Sequence, residues 1–444
     1  MKRLQDYINS NVLFKVASLN SASMLVKIIS GFLTSKAIAL FVGAEGMALI
    51  GNLRNFLSTV QALSILGLYK GVVKYVAEFK ENALELSRTI STVFYFGFLS
   101  TVIVSFLCYF NAEALNAYVF SPYNDYAYIF KIIAIALPFY ALNMFIFSIL
   151  NGFSKYRILI VINIIGQIFG LLITLVLIYK ERIDGALIAI VVSESLLFLI
   201  SMISITNRRS LTTLINFENI SFEHVKKFSA YSAMAVFSAF LLPLVAITIR
   251  NYITETVGLK EAGFWEAMNR ISNYYLMFIS SLLTLYILPR FAEIDNKKEF
   301  RAEVFNFYKS IIPIFAVGLV VIYFSRNIIV LVVLSEEFKP VADLFLWQLL
   351  GDFVKVLSIV IAYQFLAKKM FWHYIITEAF SVSILYFTSM YFIDNYGVKG
   401  ANMAHFVTYV LYYGVILLIF SSSLFGVISE DEIDKSVMDQ DSKE

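Results

Sequence analysis

Long apolar runs recur from one end of this 444-residue chain to the other, and 59% of its residues are hydrophobic. One soluble core cannot hide that much apolar surface, whereas a bilayer solvates it. A run of about 20 apolar residues spans the hydrocarbon layer as a helix. Backbone polar groups in lipid must bond internally, so helices are the expected form of the spans. Twelve are predicted, at residues 14–41, 46–69, 89–110, 127–150, 157–179, 184–206, 229–250, 263–288, 305–325, 340–366, 373–393 and 398–425. The run 328–334 is too short to cross and is predicted to finish the ninth helix or lie at the interface. The fold class is therefore an all-α polytopic membrane protein.

Charge is sparse, at 15% of residues, and falls mostly between the runs. Loops 70–88, 151–156, 207–228, 289–304 and 367–372 are rich in Lys and Arg. Loops 42–45, 111–126, 180–183, 251–262, 326–339 and 394–397 are poor in them. By the positive-inside rule the rich set is cytoplasmic, which puts both termini inside. The N-terminal stretch lacks the compact apolar segment of a signal peptide and reads as a short interfacial helix. The polar tail after Ser429 reads as disordered.

An internal repeat is visible. GMALIGNLRNF from Gly46 is matched by GFWEAMNRISNYY from Gly263, and YKGVVKYVAE from Tyr69 by LPRFAE from Leu288. Arg54 thereby pairs with Arg270, and Glu78 with Glu293. The repeat predicts two pseudo-symmetric six-helix lobes, 1–206 and 229–425, around a central cavity. A cytoplasmic inter-lobe loop covers 207–228 and a cytoplasmic tail 426–444. Both copies start on one side of the membrane, so the repeat is parallel, a form known in alternating-access transporters.

Charges inside the spans point to what such a transporter would carry. Lys27, Lys36 and Arg54 lie in the first two spans, which contain no acid apart from Glu45 and Asp6 outside them. A central charge costs roughly 2.5–3.5 kcal/mol on insertion scales. Cations kept at that cost suit a wet cavity that receives an anion, and the planar fork of Arg54 suits phosphate or carboxylate. Lys36 lies nine residues beyond Lys27, on the opposite side of an ideal helix, and either lines the cavity or snorkels to the interface. Glu266 and Arg270 are spaced for an intrahelical ion pair. Asp352 and Lys355 either neutralise each other as a static pair, or Asp352 binds and releases a proton. Glu194 and Glu378 are further intramembrane acids, each a proton site or a helix lock. Trp265, Tyr274, Tyr275 and Trp347 either stack on a sugar or pack between helices.

Other chemistries are excluded. The three histidines are far apart and show no metal-ligand spacing, Cys108 is the single cysteine, and no phosphate-cradling glycine loop or catalytic triad appears. No enzyme activity, cofactor or nucleic-acid partner is expected.

Leu25-Val26-Lys27, Lys36, Arg54, Gly71-Val72 and Lys74 to Ala77 in the first half form an ordered set with Trp265, Leu288-Pro289 and Glu378. To these is added DLFxWQLxGDxxK from Asp343 to Lys355. With this set the chain resembles the Wzx-type flippases of lipid-linked oligosaccharides, in the lipid III and O-antigen translocase branch of the MOP exporter superfamily. The resemblance spans about residues 20–425, and Glu266 and Arg270 stand outside its pattern. It implies a substrate, an oligosaccharide on undecaprenyl pyrophosphate, flipped from the cytoplasmic to the periplasmic leaflet of a bacterial inner membrane. Membrane lipids, a coupling ion such as the proton and a glycan polymerase are the implied partners. Substrate binding falls to Lys27, Lys36, Arg54, Arg270 and Lys355, and proton coupling to Asp352, Glu378 and Glu194. A multidrug or cation antiporter of the same superfamily, or a non-transporting scaffold for glycan assembly, are the alternatives; the cations of the first lobe speak against a cationic cargo.

Overall fold

A computed structural model describes residues 12–120, 125–206 and 214–426. The N-terminal interfacial helix, part of the inter-lobe loop and the polar tail of the expectations above lie outside the described residues. Every regular element among those described is helical. In chain order the helices are α1 (Val12–Phe41), α2 (Gly43–Ser64), α3 (Tyr69–Phe79), α4 (Ala83–Phe110), α5 (Ala112–Phe120), α6 (Ala127–Gly152) and α7 (Tyr156–Thr206). They continue with α8 (Phe222–Thr256), α9 (Leu259–Leu282), α10 (Leu288–Glu293), α11 (Lys297–Ser310), α12 (Ile312–Phe324) and α13 (Arg326–Val333). The last four are α14 (Phe345–Ala367), α15 (Phe371–Tyr396), α16 (Val398–Ile419) and α17 (Ser421–Phe425). A π-helical segment, Leu283–Ile287, joins α9 to α10, and a 3-10 segment, Glu336–Leu344, leads into α14.

Ten stretches among the described residues are long and apolar enough to cross a membrane. One of them, Tyr156–Ile203, contains two predicted spans in a single 48-residue stretch. Its helix, α7, is broken at Arg182, whose φ of 49° and ψ of −114° are not helical. The second predicted span is α2, which carries Glu45, Asn52, Arg54, Asn55 and Gln61 and falls outside the ten. It also ends earlier than the expected residue 69: Leu66 and Gly67 take positive φ and turn the chain into α3. The run 328–334 forms part of its own helix, α13, rather than the end of the ninth span.

Two local structures recur at nearly the offset that separates Arg54 from Arg270. At Arg182 and at Gly397 a residue with positive φ reverses the chain, and a glycine three residues later sits against the backbone eight residues before it. A Cβ on Gly185 would lie 2.0 Å from the Leu177 carbonyl oxygen, and one on Gly400 would lie 2.0 Å from that of Phe392. In a straight helix eight residues rise about 12 Å, so each contact marks a tight hairpin. Asn82 and Asn296 likewise cap α4 and α11 by accepting from the amides of Glu85 and Glu299 at 3.2 and 2.7 Å.

The chain divides into two compact units: Met1–Ala267 with Ile328–Pro340, and Met268–Asn327 with Val341–Glu444. In the first, Val72, Val76, Ile90, Val93 and Ile149 form an apolar core where α3, α4 and α6 meet. In the second, Phe291, Phe300, Phe365 and Phe420 stack with Val360, Ile361 and Ile416.

Candidate functional site

The second unit is built around one carboxylate. Asp352 on α14 is 0% exposed, and a charge so placed is tolerable only if its oxygens are bonded. They are. Ser272 Oγ donates at 2.5 Å, Tyr275 Oη donates as well, and Gln348 Nε2 lies 3.3 Å from both carboxylate oxygens. His405 Nε2 on α16 lies 2.9 Å from Oδ1. The local sequence explains the convergence. Ser272 and Tyr275 are one turn apart on α9, and Gln348 and Asp352 are one turn apart on α14. Gly351 leaves room for the imidazole, since a Cβ there would lie 2.3 Å from His405 Cδ2. Asn402 Nδ2 donates to Gln348 Oε1 at 2.7 Å and so fixes the amide that faces Asp352.

This corrects one expectation. The basic side chain within bonding distance of Asp352 is His405, and Lys355 makes no ion pair with it. Lys355, three residues further on α14, holds its ammonium 5.2 Å above the Tyr409 ring. Tyr409 follows His405 by one turn of α16, and the two rings meet edge-on at 4.9 Å. Glu378 on α15 is half-buried and near enough to act electrostatically on both Lys355 and Tyr409. Two acids, a histidine, a lysine and a tyrosine thus share one protein-lined region. It sets a carboxylate and an imidazole within hydrogen-bonding distance of each other.

The first unit holds a second buried charge centre, which sequence reasoning missed. Arg250, near the end of α8, is 2% exposed. Its Nη1 donates to Asn52 Oδ1 and its Nη2 to Glu266 Oε2, both at 2.6 Å. Its guanidinium lies 5.2 Å over the Trp265 ring. Gly51 makes the space, because a Cβ there would lie 2.5 Å from Glu266 Oε2 and 2.9 Å from Arg250 Cζ. Asn52 Nδ2 donates to Asn251 Oδ1 at 2.8 Å and to the Val119 carbonyl at 2.7 Å. Glu266 therefore bonds across helices as well as having Arg270 one turn away. Trp265 is buried beneath the guanidinium instead of offering a face to a sugar. An arginine in an apolar span with no acid in that span was the available signal for Arg250.

The other predicted residues divide between the units. Lys27 on α1 is not covered by protein, and Arg54 on α2 is half-buried. Lys36 is half-buried and donates from Nζ to the Leu331 carbonyl at 2.7 Å. Glu194 on α7 accepts from Gln61 Nε2 at 2.7 Å. All four lie in the first unit, while Arg270, 4% exposed, lies in the second with Asp352, Lys355 and Glu378. Trp347 packs against Phe406, and Tyr275 serves Asp352.

A family model described as polysaccharide biosynthesis protein matches residues 41–343. The chain belongs to the polysaccharide biosynthesis protein family. Within it, the lipid III flippase of Escherichia coli (strain K12) is 27% identical over 414 residues, covering 91% of this chain and 98% of that one. A putative O-antigen transporter of Shigella flexneri is 22% identical over 263 residues, covering 58% of this chain and 60% of that one. The resemblance to Wzx-type flippases is thereby borne out, and with it a multi-pass membrane location. Two solved structures share the fold of this family member. One is an inward-facing multidrug resistance MATE family transporter of the MOP superfamily, with TM-score 0.72, 12% identity, and coverage of 91% of this chain and 96% of that one. The other is the lipid II flippase MurJ in an inward closed conformation, with TM-score 0.69, 15% identity, and coverage of 93% and 88%.

Proposed function

We propose that this protein flips an undecaprenyl-pyrophosphate-linked oligosaccharide, of the enterobacterial-common-antigen or O-antigen kind, from the cytoplasmic to the periplasmic leaflet of the bacterial inner membrane. The observation that carries the reading is the alignment with a lipid III flippase over 98% of that protein's length. Intramembrane cations support an anionic headgroup. Lys27, Lys36, Arg54, Arg270 and Lys355 are the residues we assign to it. Transport proceeds by alternating access. It is coupled to an ion, and the Asp352–His405 pair, Glu378 and Glu194 are its candidate proton carriers. Twelve crossings in two parallel six-helix copies fit this mechanism: the two arms of α7 count separately, α2 adds one, and the repeated hairpins and caps support the copies. Both termini are cytoplasmic on the loop-charge rule.

The test is complementation of a Gram-negative strain that lacks its own lipid-linked glycan flippases. Surface glycan should return and lipid-linked precursor should fall when the chain is expressed. Failure across several glycans, followed by drug efflux from the same cells, would replace this reading with the multidrug antiporter.

A further inference from the structure

We propose that Asn52, Arg250 and Glu266 form the outer gate of the transport path, a buried latch that must open before the headgroup leaves on the periplasmic side. The inference rests on the flippase reading and on the orientation given by the loops.

Asn52 belongs to the first copy of the sequence repeat, and Arg250 and Glu266 to the second. All three lie in the first compact unit, which takes in the stretches of the second copy up to Ala267 and from Ile328 to Pro340. The stretches that meet there adjoin the Lys- and Arg-poor loops, 42–45, 111–126, 251–262 and 326–339. Further bonds between the two copies lie at this end, while one deeper bond runs from Thr59 Oγ1 to the Ala239 carbonyl at 2.9 Å. Lys36 Nζ reaches the Leu331 carbonyl at 2.7 Å, and Ser335 Oγ reaches that of Ala39 at 3.4 Å. Gly263 is pressed onto the Ala44 carbonyl, where a Cβ would lie 1.9 Å from the oxygen. Asn251 Nδ2 donates to the Tyr118 carbonyl at 3.0 Å, tying the latch to α5 as well.

A buried ion pair is a poor way to add stability, because an apolar pair of similar volume often does as well or better. It is a good way to build a seal that opens. When the latch parts, water reaches the guanidinium and the carboxylate and offsets much of the lost bonding. An apolar seal would instead expose apolar surface to water and stay shut. A charged latch therefore keeps closed and open states close enough in free energy for a carried ligand to shift them.

Two experiments on the full chain, in a Cys108→Ser background, test the gate. Thr59 lies seven residues inward of Asn52 on the same face of α2, about 10 Å deeper. With Thr59→Cys as the probe, a membrane-impermeant maleimide is applied from the periplasmic side. Glu266→Gln, which frees Arg250 from its carboxylate, should raise the labelling rate about tenfold. Labelling at the parent rate overturns the proposal. In the second, Ala39→Cys and Ser335→Cys, a pair at the same end that is not part of the latch, are bridged by a short bis-methanethiosulfonate reagent in complementing cells. Surface glycan should stop and return on reduction; flipping that continues in the bridged protein overturns the proposal even if Glu266→Gln fails to fold. The labelling needs no substrate, so it reports on the gate independently of whether any glycan is restored.

Discussion

The imidazole of His405 and the carboxylate of Asp352 meet at hydrogen-bonding distance, 2.9 Å, with Asp352 wholly buried, fifty-three residues apart in sequence and on different helices. Changing Asp352 leaves buried donors without their acceptor. Asp352→Asn should cost about 1–3 kcal/mol, seen as a lower unfolding temperature in detergent, and should abolish surface glycan in complemented cells. His405→Gln keeps a donor toward Asp352 and should cost less. Two variants that both melt like the parent and both flip would remove this pair from stability and transport alike.

Gly351 sets that pair by what it lacks. A methyl group on it would collide with the His405 ring at 2.3 Å and meet the Phe406 amide nitrogen at 3.1 Å. Gly351→Ala should push the ring off Asp352, costing about 1–3 kcal/mol. Transport should fall while membrane insertion persists. Glycan export and membrane-fraction immunoblots of the same cells read the two effects separately.

The cations of the first unit should differ in their effects. Lys27→Ala and Arg54→Ala should each lose surface glycan and accumulate lipid-linked precursor. Lys36→Met loses a bond to the Leu331 carbonyl, a change of about 1–2 kcal/mol, and should export more glycan than either. Equal export by all three would sink the assignment of Lys27 and Arg54 to the headgroup.

The two hairpins make a test of the repeat's local structure. Gly185→Ala and Gly400→Ala each drive a methyl group into a carbonyl oxygen and should destabilise by about 1–3 kcal/mol. Arg182 holds a positive φ that Gly397 provides without strain in the second hairpin. Arg182→Gly should therefore stabilise the protein by about 1 kcal/mol. Thermal unfolding of the purified variants measures all three.

Much of this protein was legible as a string of residues. The apolar runs gave helices, because lipid leaves the backbone no other partner. The Gly46 and Gly263 motifs predict a repeat, and the ordered set that includes the stretch from Asp343 to Lys355 carries the resemblance to the family. The turn after α2 was harder to see, since Leu66 is an ordinary apolar residue that adopts a positive φ only under tertiary constraint. Arg250 was hidden for a similar reason. Its partners, Asn52 and Glu266, stand on other helices, and no spacing along α8 points to them.

What the sequence determined was which residues are too costly to leave in lipid unpartnered: Lys27, Arg54, Glu194, Asp352, Lys355 and Glu378 stand out from composition and position alone. What only tertiary structure decided was who partners whom. Spacing along one helix suggested Asp352 with Lys355, yet the bond goes to His405, because a carboxylate answers to whatever donor packing brings within 3 Å. Gly351 and Gly51 decide that packing by leaving out a single carbon, and one chain read in one dimension does not say which helices will cross there.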